Sequence, residues 1–96
     1  MARYLTQHTL ACLTRQGAEE LAKRLHAAQG SGDNLSKCEG VTARRVLLNM
    51  VEGKMLVEFE AADREALEKW LAAERFHFDW LLRIEFESRD GRLEPV

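Results

Sequence analysis

The chain has 96 residues, 46% of them hydrophobic and 31% charged, with a net charge of −2. That length suits one domain, the composition is that of a folded globular chain, and the slight acidity argues against a nucleic-acid binder, which carries a basic stripe on one face. The N-terminus, Met-Ala-Arg-Tyr-Leu-Thr-Gln-His, lacks the apolar core of a signal peptide, and no later apolar run is long enough to span a bilayer. Two cysteines, Cys12 and Cys38, are too few for a disulfide scaffold. A cytoplasmic protein with reduced thiols is expected.

The first strand is expected over Arg3 to Leu13. Tyr4, Thr6, His8, Leu10 and Cys12 share one face; Leu5, Gln7, Thr9, Ala11 and Leu13 share the other. Neither set is clearly polar, as in a central strand covered on both sides. Thr14 can cap a helix with its hydroxyl. Ala18, Leu21, Ala22, Leu25 and Ala28 then make an apolar stripe, with Glu19–Lys23 and Glu20–Arg24 pairs on the wet side. Gly30 ends the helix.

Residues 30–40 are polar and glycine-rich. The stretch is longer than the usual connection of about 2–6 residues. It reads as a surface insertion or as a binding loop, and it lacks the Gly-Lys-Ser/Thr of a phosphate cradle. Val41 to Met50 and Lys54 to Ala61 form a hairpin, with Gly53 supplying positive φ at the turn. Met55, Val57, Phe59 and Ala61 alternate with Lys54, Leu56, Glu58 and Glu60, which specifies the register.

Asp63 caps a second helix carrying Leu67, Trp70, Leu71 and Glu74 on its stripe, with a Glu65–Lys69 pair outside. It ends near Arg75. In the last strand Trp80, Leu82, Ile84 and Phe86 alternate with Leu81, Arg83, Glu85 and Glu87. Phe76 and Phe78 lead in on the apolar phase, and Trp70 and Trp80 both read as core. Ser88 to Val96 is a polar tail with an Asp90-Gly91 turn, free to fray or to swap onto a partner.

The order strand, helix, strand, strand, helix, strand is that of ferredoxin-like βαββαβ domains. Two helices with one apolar stripe each pack on one face of a four-stranded antiparallel sheet. Right-handed crossovers put the first and third strands in the middle. Covering the other face with a second copy gives a two-fold dimeric α+β barrel, an α+β homodimer.

His8 is the first candidate for chemistry, since it sits mid-strand where a ligand between sheet and partner would lie. It cannot share a metal with Cys12: four residues of strand separate them by about 13 Å, against ligand distances of about 2.0–2.3 Å. Glu58 and Glu60 lie on one face. With His8 they make an oxygen-and-nitrogen site, or they form a solvated strip paired with Arg83 or Lys54. His77 and Asp79 share a face, so the carboxylate either orients the imidazole or makes a plain strand-entry hydrogen bond. His26 reads as a surface histidine. No nucleophile elbow is present.

The arrangement Tyr4-Leu5-Thr6-Gln7-His8, then Gly-Lys-Met-Leu-Val-Glu-Phe-Glu-Ala at 53–61, then a short helix from Asp63 closed by Phe76-His77-Phe78-Asp79, resembles a family of small bacterial ferredoxin-like nickel-binding proteins in the dimeric α/β-barrel superfamily. The chain has Val57 where that family suggests a cysteine, and Trp70 and Leu71 where it suggests a histidine. The resemblance implies a homodimer with a divalent transition metal such as nickel near His8. The wider superfamily includes cofactor-free monooxygenases and muconolactone-isomerase-like enzymes.

The expectation is a homodimer binding a small ligand or metal between sheet and partner, with His8, Glu58, Glu60, His77 and Arg83 at the site and neither nucleic acid nor membrane as a partner. The alternatives are an enzyme using His8 or His77 as a proton shuttle, and a structural or regulatory module with no pocket.

Overall fold

A computed structural model describes residues 2–10, 14–30 and 40–96. Cys12, Cys38 and nearly all of the 30–40 stretch lie outside them, as does the side chain of His26. The elements are β1 (Ala2–Thr9), α1 (Arg15–Gly30), β2 (Val41–Asn49), β3 (Lys54–Ala61), α2 (Arg64–Ala73), β4 (Trp80–Ile84), β5 (Phe86–Arg89) and β6 (Arg92–Pro95). The first four strands in sheet order are β2-β3-β1-β4, all pairs antiparallel, so the first and third strands occupy the middle as expected.

Local chemistry sets the element ends. The Gly17 amide donates to Thr14 Oγ1 at 3.0 Å and starts α1. The Ala66 amide donates to Asp63 Oδ1 at 2.8 Å and starts α2. At the far end of α2 the Phe76 amide donates to the Leu71 carbonyl and the Arg75 amide to that of Ala72, at 2.9 and 3.1 Å. Arg75 takes the left-handed conformation this closure needs, φ 59°. Gly53 turns the β2–β3 hairpin at φ 65°, and a Cβ there would come within 2.8 Å of the Leu10 carbonyl oxygen, so no other residue fits without movement.

One core joins sheet and helices. Tyr4, Val57, Phe59, Ala61, Val41 and Ala43 point toward Leu25, Leu67, Trp70 and Leu71. Phe59 meets Trp70 edge-on at 5.6 Å, Trp70 stacks on Phe76 at 6.2 Å, and the Arg24 guanidinium lies 4.9 Å from the Phe76 ring centre. Arg24 therefore serves Phe76 and Glu74 (3.9 Å) rather than Glu20, and Glu19 pairs with Arg15 (3.3 Å) rather than Lys23. The Glu65–Lys69 pair forms as expected, at 3.4 Å.

Two expectations are overturned. In β4 it is Leu81 that is buried, while Trp80 and Leu82 are 39% and 56% exposed. Thr6 pairs with Leu81 and Gln7 with Trp80. Thr6 faces the helices, so Leu81 must too, and the more apolar set is turned outward. The C-terminal segment is a hairpin rather than a plain tail. The chain leaves the sheet at Glu85, and β5 and β6 pair through a turn at Asp90 and Gly91, φ 53° and 80°. Two successive positive φ values are the type I′ signature for which Asp-Gly is suited.

Candidate functional site

The sheet separates the predicted site residues. His8 pairs with Met55 and shares the helix-facing side with it, whereas Glu58 and Glu60 point outward with Arg3, Leu5 and Gln7. The expected cluster of His8 with the two carboxylates is therefore not assembled. β1 alone could not reveal this, because its two faces are almost equally apolar.

His8 is buried, its ring edge-on to Phe76 at 6.2 Å. Nδ1 lies 2.7 Å from the His77 carbonyl oxygen and Nε2 lies 2.8 Å from Thr6 Oγ1. A carbonyl only accepts, so Nδ1–H donates to it; Nε2 then accepts the Thr6 hydroxyl proton in the neutral ring. Burial lowers the His8 pKa below its ordinary 6.5, against the opposing pull of the His77 hydrogen bond and the Asp79 charge. The unfolded chain thus binds more protons than the native one just below that pH, so stability falls as pH drops through this range. We expect His8→Gln, which does not titrate, to flatten the pH dependence of the urea midpoint below 6.5. An unchanged profile would refute this.

His77 is exposed and is not paired with Asp79. Its side chain borders a pocket of about 500 Å³ with Arg75, Phe76 and Phe78. Asp79 instead belongs to the outer face. Its carboxylate accepts from Thr9 Oγ1 at 2.5 Å and Gln7 Nε2 at 3.1 Å, and Lys54 Nζ donates to Thr9 Oγ1 at 2.9 Å. The hydrogen bonds from Thr9 and then Gln7 hold the Asp79 pKa below the ordinary carboxylate value, helped by the Lys54 charge. Sequence reasoning missed this cluster, because it joins positions from two strands, β1 and β3, and the segment that enters β4.

At the other end of the outer face Glu58 lies 3.6 Å from Arg3 and 3.8 Å from Arg44, and Glu60 binds Arg44. A bulge between Ala43 and Arg45 places Arg44 for this. The Glu60 hydrogen bond raises the Arg44 pKa further above its ordinary value. Arg83, expected as the partner of these glutamates, pairs in register with Tyr4 on the other phase of β4 and is exposed. Between the two polar ends run Leu5, Leu56, Leu47, Trp80 and Leu82, with Leu47 46% exposed.

The nickel implied by the resemblance does not fit these residues. Both His8 nitrogens are engaged, and no group of three or more His, Cys, Asp or Glu side chains among the described residues could hold a metal. No helix among the described residues is long and apolar enough to cross a membrane.

No family model matches the chain, and no curated protein matches its sequence. Among solved structures, the crystal structure of SCO4226 from Streptomyces coelicolor A3(2) superposes with a TM-score of 0.71 at 14% sequence identity, covering 91% of this chain and 100% of that one. At that identity the likeness shows the fold alone: a small α+β domain with two helices and a four-stranded antiparallel sheet.

Proposed function

We propose that this chain is a ferredoxin-like subunit of a homodimer that binds a small ligand between its outer sheet face and its partner. The strand order, with β1 and β3 central and both helices on one side, supports the topology. One observation carries the dimer: the side away from the helices bears Trp80, Leu82, Leu5 and Leu47, where a water-facing antiparallel sheet would alternate to polar residues. The Lys54–Thr9–Asp79 cluster at one end and the Arg3–Glu58–Arg44–Glu60 network at the other are polar groups able to orient a ligand beside that apolar band.

The site set therefore moves. Glu58 and Glu60 stay in it with Arg3 and Arg44, Lys54 and Asp79 join it, and His8 and Arg83 leave it. His77 belongs only to the separate pocket beside α2. An RNA-binding reading lacks support, because the middle strands present Leu5, Gln7, Leu56 and Glu58 outward and no stacking aromatic.

Sedimentation equilibrium tests the dimer; a monomer at every concentration up to several hundred micromolar would refute it. Calorimetry with nickel, copper and zinc tests the ligand class. We expect no micromolar site, and the His8 imidazole resonances should stay unbroadened by nickel. Selective broadening of His8 would restore the metal reading.

A further inference from the structure

The β5–β6 hairpin is amphipathic, and its polarity is reversed relative to its own subunit. Pairing of Phe86 with Pro95 and of Ser88 with Leu93 puts Phe86, Leu93 and Pro95 on one side. Glu87, Arg89, Arg92 and Glu94 take the other. On the charged side, Glu87 ties the hairpin to its own body, 3.3 Å from Arg3 on the outer sheet face, while Arg89 braces the hairpin internally, reaching Glu87 and Glu94 at 3.8 and 3.6 Å. The apolar side is bare, with Phe86 55% and Leu93 73% exposed.

Two-stranded hairpins with nothing packed on them are marginally stable in water. A good turn and three ion pairs do not explain why the sequence places phenylalanine and leucine where more than half of each is exposed. The same chain also leaves its outer sheet face uncovered. One subunit thus offers both halves of a contact, and a two-fold pairing satisfies both at once, because each surface is met by its counterpart on the other copy.

Size favours the same answer. From strand spacing and rise, the outer face projects about 450 Å². A stable interface takes about 600–1,000 Å² from each partner. The apolar side of the hairpin adds a further ~130 Å², which brings the contact close to the lower end of that range.

We infer that the β5–β6 hairpin is an arm laid on a second copy, seating Phe86 and Leu93 against that copy's outer sheet face and closing one end of the cleft there. The inference rests on the dimer reading of the preceding section. Because the charged side of the arm faces home, exchange needs no refolding of the arm, only a partner to receive its bare side.

The test compares wild type with a Phe86→Ser/Leu93→Ser double variant by sedimentation equilibrium. Both side chains are exposed within the subunit, so folding should survive, as circular dichroism will check. Dimerisation should weaken at least tenfold. In a mixed sample of labelled and unlabelled subunits, nuclear Overhauser contacts should link Phe86 and Leu93 of one copy to Trp80, Leu82 or Leu47 of the other. A wild-type dimer with an equally tight variant dimer, or with no such contacts, would overturn the arm while leaving the dimer standing. A wild-type monomer at all concentrations would overturn both.

Discussion

Phe59→Ala is expected to remove about 3–5 kcal/mol of stability, the usual cost of emptying an aromatic site in a core. Phe59 is fully buried at the centre of β3 and meets Trp70 edge-on. Its ring begins a chain that continues through Trp70 and Phe76 to His8. Losing it leaves a hole that α2 can fill only by tilting, and α2 is pinned at both ends, by the Asp63 cap and by the Arg75 closure. Relaxation should therefore be poor and the loss near the upper part of the range. Because a domain of this size is stable by about 5–15 kcal/mol, the variant should fold but unfold at much lower urea. Phe59→Leu, which keeps most of the volume, should cost clearly less. A loss under 1 kcal/mol for the alanine variant would mean that this ring is not the keystone of the core.

The second large effect is on assembly. Leu82→Asp should weaken dimerisation at least a hundredfold. Leu82 lies beside Leu5 on the outer face and is more than half exposed in the single subunit. In a two-fold dimer the substitution is made twice, and each copy loses about 1.5 kcal/mol of apolar burial. The sum is about 3 kcal/mol, or two powers of ten in affinity. The desolvated carboxylates add to this. The monomer fold should be untouched, since Leu81 and not Leu82 faces the helices. Equal dimer affinity in this variant would show that the outer face is not the interface.

Much of the fold was legible because it is written locally. Thr14 and Asp63 announce their helices by hydroxyl and carboxylate chemistry, and Gly53 and Asp90-Gly91 announce turns by the backbone angles they permit. The alternation of β3 gives its register. What could not be read was which side of the sheet the helices take. Alternation in β4 divides Trp80, Leu82 and Ile84 from Leu81 and Arg83, yet it does not say which set meets a helix and which awaits another surface. The more apolar set, expected inward, faces outward, because a sheet face that awaits a second copy can be as apolar as one that meets helices, and apolarity alone does not tell the two apart. The same ambiguity in β1 misplaced His8. The Lys54–Thr9–Asp79 cluster was invisible for a different reason: it exists only once β1, β3 and the entry to β4 are side by side.

The chain holds two tryptophans, and the fold sorts them to opposite sides of the sheet: Trp70 within the packed layer, Trp80 on the outer one. Their emission should accordingly differ in colour and in access to a soluble quencher such as iodide. Dilution across the association midpoint should redden and unmask Trp80 alone, while denaturant should change both. An unlabelled sample in a fluorimeter can therefore tell separation of subunits from loss of structure.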